Sequence, residues 1–290
     1  MNESSSTPPS TLRDLVGGYL AEQCTVILDA EAALRGGENV VHVTRVAVRR
    51  LRSTLRVFGD LFDVAPAAHL EDELVWWAGL LGAVRDLDIL AQGLTAEIAA
   101  LPAELVLGPV ESTISTEIAT ARKAGMDVVL EAMDSERYRN LLALVQEWRS
   151  NPPFTAAADA PADKVKGYVK RAEKKVRKRL AAAVAAREAG EEGADELFHS
   201  ARKAGKRHRY AVEAAVPLWG AKAEKIVAAR KDLQDVLGHH QDRAVTGAFL
   251  RDLGGRLGVR CGVNGFTYGL LYARTVGGGD TLVHDLKPYL

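Results

Sequence analysis

Cysteine is almost missing from this chain: Cys24 and Cys261 are the only two in 290 residues, lie in different halves and form no C-x-x-C pair. Neither a disulfide framework nor a thiolate metal site is expected from that usage, which fits a reducing cytosol. Aromatic residues make up 6% of the sequence and do not interleave with its basic stretches, which disfavours base stacking and hence a nucleic-acid partner. Long apolar runs are missing too. The longest, Leu74 to Val84, falls far short of the roughly 20 residues that span a bilayer. The start, Met1 to Ser10, has neither the basic nor the apolar segment of a secretory signal. A cytoplasmic protein without membrane association is therefore expected. Even net charge is missing, since 38 Lys and Arg are balanced by 38 Asp and Glu.

That balance hides local extremes. Segment 42–56 has five arginines and no acid, 164–179 has nine Lys or Arg against one Glu, and 188–196 holds five acids and no base. Local field rather than total charge decides what binds.

The basic pattern occurs twice. His42-x-x-Arg45-x-x-x-Arg49-Arg50-x-Arg52 recurs as His199-x-x-Arg202-x-x-x-Lys206-Arg207-x-Arg209 at an offset of 157 residues. Leu81-Gly82-x-x-x-Asp86 recurs as Leu237-Gly238-x-x-x-Asp242 at an offset of 156. Two motifs kept in register indicate tandem copies of one helical unit. Sparse proline, abundant Ala and Leu and a pervasive helical period make the chain all-α. Helices are predicted near 11–35, 41–61, 67–99, 103–131 and 136–149, then near 163–189, 194–215, 221–253 and 263–275. Gly36-Gly37, Pro66, Gly190, Pro217 and Gly254-Gly255 supply breaks, and Gly277-Gly278-Gly279 loosens the tail. The expected organisation is a first antiparallel four- or five-helix bundle over 11–151, a Pro- and Ala-rich linker over 152–162, and a second bundle over 163–276. A pseudo-twofold axis between the copies would set the basic helices face to face. Their stripes would then merge into one groove or pore.

At about 100° per residue, His42, Arg45, Arg49, Arg52 and Arg56 fall within an arc of about 80°. His199, Arg202, Lys206 and Arg209 share the same arc in the second copy with Lys203 beside it, while Arg50 and Arg207 are expected to point away. Aligned like charges cost several tenths of a kcal/mol per i,i+4 pair. A multivalent anion would offset that repulsion, because guanidinium groups fork onto phosphate oxygens and lysine adds mobile charge. On the 164–179 segment, Lys166, Lys170, Lys174 and Arg177 form a third cationic edge, opposite Val165, Val169, Val176 and Leu180. A single row of cations is also what a solvated helix face looks like; repetition in register and uniform sign favour binding. Histidines beside phosphate are expected to be held cationic.

Glycine inside a helix costs about 1 kcal/mol relative to alanine, so Gly82 and Gly238 imply a packing reason. Close helix approach is the expected one, letting Asp86 and Asp242 hydrogen-bond and orient an Arg or His of the basic helix. His239 and His240 occur between Gly238 and Asp242 in one copy only and are the one place where a metal comes into question. No metal and no cofactor are expected. Trp76-Trp77 reads as core or interface.

Taken together, these strings resemble the CHAD family, the conserved histidine α-helical domain. The residues that carry the resemblance are His42-x-x-Arg45-Val46-x-x-Arg49-Arg50-Leu51-Arg52, Leu81-Gly82-x-x-Arg85-Asp86-x-Asp88, His199-x-x-Arg202-Lys203-x-x-Lys206-Arg207-x-Arg209-Tyr210-x-x-Glu213 and Leu233-Gln234-x-x-Leu237-Gly238-x-x-x-Asp242. The match runs from about residue 11 to 275. The resemblance implies paired four-helix bundles about a pseudo-twofold axis, a basic central surface, binding of inorganic polyphosphate and localisation to polyphosphate granules. By position, the binding residues are His42, Arg45, Arg49, Arg52 and Arg56, then His199, Arg202, Lys203, Lys206 and Arg209, with the 166–177 edge flanking them. Gln241 stands where the first copy has Arg85, a departure that makes the two motifs unequal. Such domains are often fused to a CYTH triphosphatase, and the residues before position 11 leave no room for one, so a stand-alone, non-enzymatic form is expected.

Other classes fit less well. RNA binding lacks the aromatics. A metal-dependent phosphohydrolase or phosphotransferase needs a carboxylate or His cluster with a nucleophile, and the sequence offers no such pair. A structural interaction protein would dock through the acidic loop near Glu191 and Glu192.

Overall fold

The computed structural model describes residues 8–261, 264–277 and 281–290. Thr11 opens the first helix, α1 (Leu12–Arg35): its hydroxyl accepts from the Asp14 amide at 3.1 Å while the Asp14 carboxylate accepts from the Thr11 amide at 3.0 Å. This reciprocal cap satisfies two amides that the helix itself cannot. The basic helix α2 spans Val41–Val57 and stops short of the expected 61. There Phe58 leaves helical geometry to enter the core, and a single tight turn over Gly59–Leu61 follows.

Helix α3 spans Val64–Ala99, about 54 Å of rise. Pro66 sits in its first turn, where no intrahelical partner awaits its missing N–H, so it starts the helix instead of breaking it. Helix α4 (Val110–Asp134) begins seven residues later than predicted, because Pro102 and Pro109 bracket a stretch holding only one tight turn. Helix α5 (Glu136–Ser150) is capped by the Ser135 hydroxyl.

The second half contributes α6 (Val165–Glu188), α7 (Ala194–Ala214), a single turn α8 (Val216–Trp219), α9 (Ala221–Cys261), α10 (Phe266–Gly277) and a short α11 (Leu282–Leu286). Gly254-Gly255 does not end α9. The Gly254 position instead lies 3.3 Å from the Tyr268 Cβ, so the missing side chain lets α10 approach. Among the described residues the second half has three long helices, the 12-residue α10 and two short ones, α8 and α11, where a four-helix set was expected. Gly278 and Gly279 lie outside the described residues. Among the described residues the regular structure is all helical, as expected; outside the helices only isolated bridges join Thr11 to Pro161 and Phe62 to Phe154.

Those bridges fasten the 152–162 connection. Leu12 donates to the Ala160 carbonyl at 2.9 Å, Ala162 to Ser10 at 3.0 Å and Thr155 to Leu61 at 2.9 Å, while Phe154 stacks on Phe62 at 5.0 Å. The segment reads as a linker by composition and is docked in the structure, its small residues letting the backbone lie against α1.

The apolar interior runs across this connection. One cluster joins Leu51, Phe58, Trp77 and Trp148 to Val165, Tyr168 and Val212; a second joins Leu90, Leu94 and Ile114 to Leu250, Leu253 and Leu271. A third packs α6 and α7 on α9 and α11 through Leu180, Phe198, Leu233 and Leu286. Trp77 belongs to the core and Trp76 packs partly buried against it. Along the junction α2 packs on α7 and α3 on α9, each helix beside the one that the sequence repeat makes its counterpart. Leu51, wholly buried on α2, ties the basic helix to this interior. Leu51→Ala is expected to lower stability by about 2–5 kcal/mol, read as a shift of the urea midpoint at constant m-value; a loss below about 1 kcal/mol would contradict the packing described.

Candidate functional site

The sequence of each basic helix divides it into two faces. On α2, Thr44, Ala47, Val48, Leu51 and Leu55 are buried, and on α7 the buried set includes Phe198, Ala201, Ala204, Gly205, His208 and Ala211. What remains looks into two adjoining cavities of about 600 and 490 Å³. The larger is lined by His42, Arg45 and Arg49 of α2, by His199, Arg202, Lys206 and Arg209 of α7, and by residues of α3 and α9. The smaller is lined by Arg45, Arg49, Arg52 and Arg56 together with His199, Arg202, Lys203, Lys206 and Arg207. Five residues line both: Arg45, Arg49, His199, Arg202 and Lys206. The two rows thus meet in one continuous cleft.

The glycines of the repeat have a role more specific than helix contact. A Cβ at Gly82 would lie 2.7 Å from Arg45 Nη1, and one at Gly238 would lie 3.6 Å from Arg202 Nη2. Gly82 clears a bed for the Arg45 guanidinium, while at Gly238 the Arg202 guanidinium rests at ordinary contact distance. Asp86, four residues after the first, meets Arg45 Nη1 at 3.4 Å. Asp242 acts on Arg202 through its charge, favouring the cationic form. Both aspartates line the larger cavity beside the arginines they face.

A second device crosses the junction. Arg49 Nε donates to the Tyr210 hydroxyl at 2.6 Å, and Arg209 Nη2 donates to the same oxygen at 3.2 Å. Glu213 accepts from Arg50 Nε at 2.8 Å and from the Tyr19 hydroxyl at 3.0 Å, and lies 3.3 Å from Arg209 Nε. At the far end, Glu71 pairs with Arg56 and lies 3.8 Å from Arg52. Carboxylates thus engage Arg45, Arg50, Arg52, Arg56 and Arg209, while Arg49 and Lys206 have none within ion-pair distance among the described residues. Arg52 Nε and Arg202 Nε are buried N–H donors without an acceptor among the described residues, and such donors carry a desolvation penalty until something accepts from them.

The crowding shows in proton affinity. Lys206 is pushed down to about 6, first by burial and then by Arg49, Arg202, Arg45 and Arg209. Burial is also the main cause that lowers Arg45, Arg52, Arg202 and Arg207. His42 lies below its usual value through burial and then Arg85, Arg49 and Arg45. His42 is therefore pushed towards its neutral form, where the sequence led us to expect a cationic histidine.

Several placements differ from the sequence reading. Arg207, expected to point away, lines the smaller cavity, because α6 and α2 both pack on α7 and enclose that flank. Lys166, Lys170, Lys174 and Arg177 are exposed on α6 and line neither cavity. The buried face of α6, centred on Val165, Ala172 and Val176, turns their edge outward. Arg177 is instead 3.4 Å from Glu173. His240 Nε2 lies 2.9 Å from Asp195, which also pairs with Arg187. No group of three or more metal-ligating side chains occurs among the described residues. The side chains of Gln241 and Cys261 lie outside the described residues, while Cys24 is a free, buried thiol. Glu71, Lys231 and Asp235 escaped the sequence reading because they sit on α3 and α9, away from either basic string; Gln234 stood in the second-copy string without a role assigned to it. Tyr210 and Glu213 stood in the second string, but the repeat offset sets Ser53 and Arg56 opposite them, so the repetition could not single them out.

Helical content, the duplicated strings and the cleft point to one family, and comparison bears this out. Residues 18–251 match the CHAD domain, and the chain belongs to that family. Two uncharacterized proteins from different strains of Mycobacterium tuberculosis are each 32% identical over 269 residues, 91% of this chain and 50% of theirs. The chain thus spans about half the length of the curated relatives it matches. Among solved structures, a CHAD domain from the plant Ricinus communis superposes with a TM-score of 0.71 at 25% identity, covering 98% of this chain and 93% of that one. PptA from Streptomyces chartreusis gives 0.75 at 21% identity, covering 97% and 99%, a likeness of fold. No helix among the described residues is long and apolar enough to cross a membrane.

The glycine beds make an asymmetric expectation. Gly82→Ala should displace the Arg45 guanidinium and weaken pyrophosphate binding about tenfold, while stability changes by no more than the ~1 kcal/mol of helix propensity. Gly238→Ala, with ordinary contact distance, should leave affinity within about twofold of wild type. Calorimetric titration of both variants reads the difference, and equal behaviour would show that the bed does not position Arg45.

Proposed function

We propose that the protein binds inorganic polyphosphate in the α2–α7 cleft and does so as a non-catalytic binding module. The observation that carries this reading is the meeting of two like-charged rows in one cleft where cations outnumber the carboxylates that face them, and where Arg49 and Lys206 have no carboxylate partner among the described residues. Such a cleft favours a linear, densely charged anion. Each phosphate unit presents oxygens to guanidinium forks and lysine ammonium groups, and many modest contacts add up. The contacting groups are His42, Arg45, Arg49, Arg52 and Arg56 from one row and His199, Arg202, Lys203, Lys206 and Arg209 from the other. Asp86 and Asp242 orient Arg45 and Arg202, and the exposed cations of α6 lie outside the cleft. The resemblance drawn from the sequence points to the same ligand and to polyphosphate granules as the place where the protein gathers. These groups hold and neutralise phosphate oxygens, which is what retention of a polymer requires.

Titration with long-chain polyphosphate in rising salt tests the reading. Affinity should fall steeply with salt, and Arg45→Glu with Arg202→Glu should weaken it by about a hundredfold or more. An unchanged affinity in the double variant would exclude the cleft, and displacement of polyphosphate by RNA at equal charge would point to a nucleic-acid partner instead.

Proton uptake offers a second check. With Lys206 pushed down to about 6, its amine is largely neutral at pH 7.5, and a bound polyanion restores its charge. Binding should therefore take up protons between about pH 6 and the ordinary lysine range, and affinity should fall as pH rises through that window. Without ligand the sign for folding is opposite: the unfolded chain binds the extra proton there, so stability rises with pH over the same interval. Calorimetry in buffers of different ionisation enthalpy should show the uptake, and Lys206→Arg should reduce it while keeping tight binding. Equal uptake in wild type and variant would remove Lys206 from the account.

A further inference from the structure

The cleft does not end at Arg56. A small crevice of about 70 Å³ continues it, lined by Arg56 and Arg207, which also line the smaller cavity, and by Arg171, Lys175 and Arg179 of α6 beside Tyr168. Five cations thus line this space, and no carboxylate lines it among the described residues. Such a lining suits a phosphoryl group. The positions follow from helix geometry: Arg171, Lys175 and Arg179 are four residues apart and fall on the flank of α6 next to the buried Tyr168.

Two of the three α6 cations have contacts of their own. Arg171 lies over the Tyr168 ring at 4.3 Å, and Arg179 reaches the Ser200 carbonyl on α7 at 3.4 Å. The Tyr168 hydroxyl in turn donates to Asp60 at 2.8 Å. Arg56 and Arg179 both act on Arg207 by like charge, offset in part by the Glu71 carboxylate that pairs with Arg56. The repulsion inside this crevice is the same kind that the cleft shows.

We propose that Arg171, Lys175 and Arg179 form an outer subsite through which a polyphosphate chain longer than the cleft leaves the protein, so that this flank of α6 sets a preference for long chains. The inference rests on polyphosphate being the ligand of the cleft. It differs from the α6 edge read from the sequence, Lys166, Lys170, Lys174 and Arg177, which lies on another side of the same helix.

Comparing long-chain polyphosphate with tripolyphosphate tests it. Arg171→Ala, Lys175→Ala and Arg179→Ala together should weaken long-chain binding about tenfold or more and lower the salt slope by about two, three contacts at ~0.7 each. Tripolyphosphate, held within the cleft, should change less than about twofold. A matched variant with Lys166→Ala, Lys170→Ala and Lys174→Ala removes the same charge from the other side of α6 and should leave both affinities near wild type. Arg179 also bonds α7, so Arg171→Gln with Lys175→Gln serves if the triple variant unfolds, with a slope change of about one. Equal losses for long and short chains, no loss for either, or an equal loss in the matched variant would each overturn the subsite. Failure of the cleft itself looks different, because wild type would then bind neither chain.

Discussion

Like charges held close together against their own repulsion are the constraint on which this structure turns. Arg45, Arg49, Arg202 and Lys206 line one space, and nothing in their mutual electrostatics favours that arrangement. The opposing force is burial. Val48 and Leu51 of α2 and Ala211 and Val212 of α7 belong to one apolar cluster, and each buried aliphatic side chain contributes on the order of 1.5–3 kcal/mol. Repulsion between exposed i,i+4 pairs amounts to only several tenths of a kcal/mol, and it grows where burial removes the screening water, as at Lys206. Packing therefore decides where the helices go, and the charges follow.

Packing alone would still let the long side chains splay into solvent. The polar devices around the cleft prevent that, and they differ between its two sides. Over α3 the means is subtractive: Gly82 lacks the side chain that would collide with the Arg45 guanidinium, whereas over α9 Arg202 meets Gly238 at ordinary contact distance. Across the α2–α7 contact it is additive, with the Tyr210 hydroxyl accepting from two arginines and Glu213 gathering Arg50, Arg209 and Tyr19. Glu213 neutralises charge at the rim next to the apolar core, where an unpaired guanidinium would be most costly. Lys206 has no such partner among the described residues and responds by lowering its proton affinity.

Periodicity and duplication made the helices and the two rows legible before any coordinates. Each row is local in sequence, and a helix converts spacing directly into a shared face. The less legible parts are those that depend on which face a neighbour covers. Arg207 and the 171–179 flank of α6 entered the lining because α6 packs on α7, a contact no single-helix pattern contains. Lys166 and its companions were the more conspicuous edge by the apolar pattern of α6, and that same pattern turned them to solvent. Pro66 and Gly254 misled in a related way: each has a propensity to end helices, and tertiary context gave each another use. The glycine and aspartate motif was readable as a pair of contacts to the basic helix, whereas the atom that fills the space, a guanidinium nitrogen, was not.

Asymmetry between the copies is where the repeat ceases to explain the site. The offset that maps His42 onto His199 maps Arg56 onto Glu213 and Ser53 onto Tyr210, so one end of the cleft gains a cation where the other gains an anchor. An anion chain placed between the rows would meet different chemistry at its two ends. At the Glu213 end the arginines are already engaged by protein acceptors, which leaves fewer donors to give up to a ligand. At the Arg56 end the Glu71 carboxylate is shared by two arginines, and the lining continues into further cations. Duplication supplied two equivalent rows; divergence at these few positions gave the cleft a direction.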